Sequence, residues 1–197
     1  MPIQYTFGLP VKNDYADYVI LENVFAPQEV AAIRELWNPV GASAAHLAGS
    51  ASGPYDQQLR NSSINFINPH DSVNWIFERL ARCAIEENNR RFLFEILGLN
   101  EGLQLARYDK NDQFNWHMDF GAGPVSQRKL SMSVQLSEPN EYEGGDLQFM
   151  INDQAHNAPR TPGTMIIFPS YVMHRVTPIT SGTRMSLVGW VNGMPFR

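Results

Sequence analysis

The sequence predicts a mainly β fold: an antiparallel barrel or jelly roll packed by N-terminal helices. Three observations predict it. Residues 27–88 carry two apolar stripes at helical spacing. From residue 91 onward the apolar period falls from 3.6 to 2. The alternating segments are short and are separated by Gly-Gly, Pro-Gly and Asn-rich turns, the pattern of an antiparallel sheet folded on itself. No internal repeat and no linker divides the 197 residues, so a single domain over 1–197 is expected, with 1–99 as support and 100–193 as the β core.

The elements follow in order. Asp17 to Leu21 is a candidate short strand. Pro27 suits the first turn of a helix reaching Trp37, with Val30, Ile33 and Trp37 on one face; Asn38-Pro39 ends it. Residues 39–59, rich in Gly, Ala and Ser, read as a long loop of the kind that covers binding sites. Ser63–Ile67 is a candidate strand. Asp71 or Ser72 caps a second helix, and Val73, Ile76, Phe77, Leu80 and Ala84 form its stripe. Asn88-Asn89 is expected to break it. Phe92, Phe94 and Ile96 then alternate, as do 102–108, 130–136 and 184–192, while the candidate strands 147–150 and 164–168 follow a Gly-Gly turn and Pro162-Gly163. In 130–136, Leu130, Met132, Val134 and Leu136 share one face; Ser131, Ser133 and Gln135 share the other.

Composition excludes several classes. Apolar residues are 43% and charged residues 18%, which is globular rather than disordered. The net charge is −5, and Arg90-Arg91 is the one short basic cluster, so nucleic acid is not expected as a partner. Cys83 is the sole cysteine, which forbids an intramolecular disulfide and suits a reducing compartment; its helical neighbours make it a packing residue. No signal-peptide pattern and no apolar run of about 20 residues is visible, so no membrane partner is expected and the expected location is cytoplasmic.

The chemistry concentrates between Trp116 and Arg184. An H-x-D tripeptide arises by chance in roughly one such chain in four, so His117-Met118-Asp119 alone carries little. Strand alternation, however, would set His117 and Asp119 on the same side. His174, after the 164–168 strand, can return beside them in an antiparallel roll. His46, His70 and His156 lie in loop-like or polar segments and are expected at the surface. Two imidazoles and one carboxylate with open positions are the ligand set of non-haem Fe(II) oxygenases. Zinc could take the same three ligands. Arg184, ten residues after His174 and on the same strand face as Ser186, tips the balance. A buried guanidinium near a metal calls for an anion, and the distal carboxylate of a 2-oxo diacid supplies one.

Several segments then combine into a family resemblance: Leu105-Ala106-Arg107-Tyr108, Phe114 to Asp119, Glu143-Gly144-Gly145-Asp146-Leu147-Gln148-Phe149, Pro162-Gly163 to Ser170, His174 to Ile179, and Gly182-Thr183-Arg184. Together they resemble the Fe(II)/2-oxoglutarate dioxygenases, most of all the prolyl 4-hydroxylase-like branch with the bacterial PKHD-type hydroxylases. The resemblance covers roughly residues 100–193. It implies a double-stranded β-helix, with Fe(II) on His117, Asp119 and His174 as the catalytic centre. It implies 2-oxoglutarate held by Arg184 through its distal carboxylate, with Tyr108, Gln135 and Ser186 as further co-substrate contacts. Leu147 and Trp190 would line the pocket. O2 is the oxidant, and ascorbate is an accessory reductant in such enzymes. The implied reaction is hydroxylation, with prolyl residues of a protein or peptide as substrate. The implied activity is of the procollagen-proline, prolyl 4-hydroxylase-like type, but collagen-type members carry lysine where Arg184 stands, which weakens collagen as the implied substrate. Two alternatives stay open: the same chemistry on a free amino acid or small molecule, and a non-catalytic metal-binding β-roll.

Overall fold

The computed structural model describes residues 14–44 and 60–195. The first half runs β1 (Val19–Leu21), α1 (Pro27–Glu35), β2 (Ser43–Ala44), β3 (Arg60–Asn61), β4 (Ser63–Ile67), α2 (Asn74–Glu87) and β5 (Ile96–Gly98). The second half is β6 (Leu103–Tyr108), β7 (Gln113–His117), β8 (Arg128–Gln135), β9 (Tyr142–Gly144), β10 (Leu147–Ile151) and β11 (Gln154–Asn157), followed by β12 (Met165–Pro169), β13 (His174–Val176), β14 (Ile179–Gly182) and β15 (Arg184–Gly193).

Two antiparallel sheets make the roll. The larger has the order β1-β12-β8-β15-β6-β4-β2, with β5 also on β15; the smaller has the order β11-β10-β13-β7-β3. Strands far apart in sequence are neighbours, as in a jelly roll: β8 lies between β12 and β15. Alternation decides which side chain goes where. On β15, Met185, Leu187 and Val191 join the core that α1 and α2 cover, with Val30, Ile33, Ile76 and Leu80. The intervening Arg184, Ser186, Val188 and Trp190 face a cavity between the sheets. β6, β8 and β12 divide in the same way: Leu103, Leu105, Leu130, Val134, Met165 and Ile167 pack under the helices. Ala106, Tyr108, Ile166 and Phe168 pack between the sheets with Phe114, Leu147, Phe149 and Val176 of the smaller sheet. Burial of each large aliphatic group contributes about 1.5–3 kcal/mol. The helices therefore stiffen the wall that carries half of the site.

Several local expectations change. Helix α2 has Val73 at its cap and no side-chain cap there. The Val73 and Asn74 N–H groups donate instead to the His70 carbonyl at 2.9 and 3.0 Å, so a tight turn replaces the expected Asp71 or Ser72 cap. Asn88-Asn89 does not break the helix: Asn88–Phe92 widens into one π-turn, closed by left-handed Leu93. The buried Asn88 amide stabilises it by bonding the Phe94 N–H and carbonyl, both at 3.0 Å. Phe92 and Phe94 are consequently not strand residues, and β5 starts at Ile96. Helix α1 stops at Glu35, short of the expected Trp37, although Trp37 still packs on the core. Ser43–Ala44, in the stretch read as loop, pairs with β4; the remainder, 45–59, lies outside the described residues. The polar insert around His156 contains the exposed strand β11. Cys83 is half-buried against the helical core, as expected, and burial raises its thiol pKa.

Candidate metal and diacid site

His117 ends β7 and His174 begins β13, and the two stand directly opposite in the ladder. Cross-strand pairing therefore brings them together over 57 residues of sequence, with ring centroids 4.1 Å apart. Asp119 is not on the strand. The chain leaves β7 after His117, and the Asp119 and Phe120 N–H groups donate to the Ser170 carbonyl at 2.9 and 3.0 Å. That anchor still turns the carboxylate to the imidazoles: Asp119 Oδ1 is 3.8 Å from His117 Nε2, and Oδ2 is 3.5 Å from His174 Nε2.

The tautomers follow from hydrogen bonding. His117 Nδ1 lies 2.7 Å from the Asn115 carbonyl, and His174 Nδ1 lies 2.9 Å from the Val172 carbonyl. A carbonyl only accepts, so each Nδ1 carries the proton and each Nε2 lone pair is free. One ligand atom from each of the three residues lies within 4.8 Å of the other two. Burial, with His174 beside it, pushes the His117 pKa well below the usual imidazole range, which favours the neutral ligand form. Burial acts to raise the Asp119 carboxyl, but His174, His117, the Ser131 hydrogen bond and Arg128 outweigh it and hold the group below its ordinary value. Ser131 Oγ donates to Asp119 Oδ2 at 2.7 Å, and Phe114 stacks on the His117 ring at 3.4 Å. These contacts orient the donors from behind, as metal sites require. Nitrogen and oxygen donors on one triangular face, with open space beyond, fit an octahedral divalent iron ion.

The open space is a cavity of about 410 Å³ bordered by all three of these residues, by Tyr108, Leu147, Arg184, Ser186 and Trp190, and by Arg60 and Arg128. Arg184 is 1% exposed. Its Nη2 donates to Gln135 Oε1 at 2.9 Å and its Nη1 to Ser186 Oγ at 3.3 Å; Nε has no hydrogen-bond acceptor among the described residues. Tyr108 sits directly across the ladder, its ring 5.5 Å from the guanidinium carbon. Among the described residues no carboxylate pairs with Arg184, so this buried cation fits an acid ligand. Gln135 does not border the cavity. Its amide is used up between Arg184 and the Pro159 carbonyl, at 3.0 Å, so it holds the guanidinium in place.

The other histidines stay apart. His70 and His156 are exposed, and His46 lies outside the described residues. Ser131, Arg60 and Arg128 went unassigned in the sequence. The strict alternation of 130–136 did mark Ser131 as facing the same side as Gln135. Nothing local marks Arg60 or Arg128, each of which borders an irregular stretch.

A family model described as the 2OG-Fe(II) oxygenase superfamily matches residues 103–192. A PKHD-type hydroxylase of Acinetobacter baumannii (strain SDF) is 30% identical over 186 residues, 88% of this chain and 77% of the relative. The chain belongs to the 2OG-Fe(II) oxygenase superfamily. This 2OG-Fe(II) oxygenase is also similar to a PKHD-type hydroxylase of Prochlorococcus marinus, with 27% identity over 90% of this chain and 77% of the relative. A Synechococcus relative is 32% identical over 98 residues, and the chain spans 44% of its length. Among solved structures, a Pseudomonas putida prolyl-4-hydroxylase matches with a TM-score of 0.73 at 19% identity, covering 90% of this chain and 93% of that one. A Trichoplax adhaerens prolyl hydroxylase, solved with a hypoxia inducible factor oxygen degradation domain peptide fragment, gives 0.74 at 17% identity, covering 90% and 84%. These likenesses establish the jelly-roll fold, and the family's requirements are Fe(II), 2-oxoglutarate and O2. Among the described residues no helix is long and apolar enough to cross a membrane.

Proposed function

We propose that this oxygenase hydroxylates prolyl residues in a protein or peptide. The observation that carries the reading is one cavity holding both the His117/Asp119/His174 cluster and Arg184, which no carboxylate among the described residues pairs. A metal site alone would suit many reactions. A metal site with a buried cation beside it suits a chelating diacid. The names and folds of the relatives support the prolyl substrate, including one solved with a peptide.

In this reading His117, Asp119 and His174 hold Fe(II). Arg184 takes the distal carboxylate of 2-oxoglutarate, with Gln135 and Ser186 steering the guanidinium and Tyr108 beside it. Bound Fe(II) and 2-oxoglutarate together supply oxidation of a C–H bond by O2, consuming 2-oxoglutarate to succinate and CO2 and leaving one oxygen atom on the substrate. The chain's own contribution is placement. Ser131 and Phe114 fix two ligands. Leu147, Phe168, Val176 and Trp190 supply apolar wall that keeps bulk water off the reacting carbon.

Succinate production from 2-oxoglutarate tests this. It should require added Fe(II), rise with proline-containing peptides, and yield a peptide heavier by one oxygen. His174→Ala and Arg184→Ala should each abolish it. Peptide-independent succinate with no stimulation by any member of a proline-rich panel would remove the prolyl assignment; turnover surviving both substitutions would remove the site assignment.

A further inference from the structure

Three arginines border the cavity: Arg60, Arg128 and Arg184. They are 7%, 4% and 1% exposed. A guanidinium removed from water needs a counter-charge. Arg128 has one in the chain: its Nε donates to Glu101 Oε1 at 2.8 Å and its Nη2 to the other Glu101 oxygen, while its face covers the Trp190 ring at 3.7 Å. Under the proposed function Arg184 takes one carboxylate of 2-oxoglutarate, and the other goes to the metal. The co-substrate then has no further acid group to offer.

Arg60 is left over. Its Nε donates to Ser62 Oγ at 3.1 Å and its Nη2 to Gln104 Oε1 at 3.3 Å, both neutral acceptors. Its guanidinium lies 4.5 Å over the Phe114 ring, the same ring that stacks on His117. Among the described residues no carboxylate reaches it. Its place is also distinct from that of Arg184. In the β6–β15 ladder Gln104 faces Val188, whereas Tyr108 faces Arg184. Four residues of strand separate the two ends by about 13 Å. Arg184 therefore serves one end of the cavity, and Arg60 stands beside the metal-ligating histidine at another, joining the larger sheet through Gln104 to the smaller through Phe114.

We propose that Arg60 is the anchor for a carboxylate carried by the substrate itself, close to the carbon that is oxidised. The inference rests on the Fe(II)/2-oxoglutarate chemistry of the proposed function, not on its peptide substrate: the substrate enters as an acid. Burial of Arg60 means that this acid group must come inside the cavity with the target residue. Two sources present that chemistry, the α-carboxylate of a free amino acid or the side chain of an Asp or Glu flanking the target in a peptide.

Binding of matched acid and amide probes separates them, measured by calorimetry on protein loaded with Mn(II) and 2-oxoglutarate. One pair is L-proline and L-prolinamide. The other is the capped tripeptides Asp-Pro-Asp and Asn-Pro-Asn. The acid should bind at least about ten-fold more tightly than its amide in one pair, the scale of a charge-assisted hydrogen-bonded contact, and that pair names the source. Arg60→Met and Arg60→Gln should both erase the preference. Arg60→Lys, which keeps the charge, should retain part of it and so separates loss of charge from loss of fold. Equal binding of acid and amide in both pairs, or a preference that survives Arg60→Met and Arg60→Gln, would overturn the proposal. Uncoupled succinate formation by the Fe(II)-loaded wild type reports separately on the underlying reading, so the two can fail independently.

Discussion

Ser131 shows how one hydroxyl can brace a candidate metal site that it does not enter. It bonds Asp119 Oδ2 at 2.7 Å and Ser170 Oγ at 3.0 Å, and so links the carboxylate to the neighbouring strand. Without it Asp119 keeps its backbone anchor but loses the side-chain restraint. Ser131→Ala should weaken divalent metal binding about ten-fold, by analogy with the loss of other supporting contacts around metal ligands. Titration with Co(II), followed by its visible absorption, measures this; unchanged affinity would show that the backbone anchor suffices. Gln135 plays the matching part for Arg184. Its oxygen accepts from Nη2 and its nitrogen donates to the Pro159 carbonyl, so the amide orientation is fixed. Gln135→Leu should raise the Kd for 2-oxoglutarate several-fold while leaving Co(II) affinity alone, because Gln135 bonds Arg184 and the Pro159 carbonyl and none of His117, Asp119 and His174.

At the scale of elements, the turn before β15 decides where Arg184 begins. Gly182 has φ +76°, and a Cβ there would meet the Glu141 carbonyl oxygen at 1.9 Å. Gly182→Ala combines left-handed strain of about 1–2 kcal/mol with a backbone collision that must displace β14 from β9. The expected result is a loss of more than about 2 kcal/mol in urea unfolding, with weaker 2-oxoglutarate binding. Retained stability would mean that the hairpin is not coupled to β15. The helices have their own tie. Glu29 accepts from the Ala26 N–H at 2.8 Å at the start of α1 and pairs with Arg79 of α2 at 2.9 Å, while Arg79 also bonds the Val24 carbonyl. Arg79 is the main reason that the Glu29 pKa is lowered. The pair is partly screened by solvent, so its loss in Glu29→Gln should cost about 1 kcal/mol.

For the whole molecule, buried ligands make stability depend on pH in a definite direction. The His117 pKa is lowered from 6.5 in the fold, chiefly by burial. Below about pH 6.5 the unfolded chain therefore takes up a proton that the folded chain refuses, and stability falls as pH falls. The lowered carboxyls of Asp119, Glu29, Asp109 and Glu141 continue the loss below the usual carboxylate range. Asp112, raised mainly by burial, acts with the opposite sign and offsets part of it. The melting temperature of metal-free protein should be level above pH 7 and decline from about pH 6.5 downward. A profile flat to pH 5 would contradict neutral burial of His117.

The sequence by itself determined most of the types of element and singled out the candidate site residues. Alternation separated Leu130, Met132 and Val134 from Ser131, Ser133 and Gln135, because a strand's side chains point to opposite faces. His117, Asp119, His174 and Arg184 were legible because their residue types have few other joint uses in one short stretch. Element ends were less legible. Asn88 looked like a helix breaker, but its buried amide bonds both backbone groups of Phe94 and sustains a π-turn, a contact that depends on where the chain goes next. Likewise Asp119 faces the histidines through an anchor on Ser170 rather than through strand alternation. Only the tertiary structure decided which charges are left without a partner. Arg128 and Arg60 look alike in sequence, yet among the described residues packing gives Arg128 a carboxylate from Glu101 and gives Arg60 Ser62, Gln104 and an aromatic face. Periodicity is a local property and can be read along the chain. Charge compensation depends on residues that meet across it, and beside the His117/Asp119/His174 cluster it leaves Arg60, among the described residues, as a cation without a carboxylate partner.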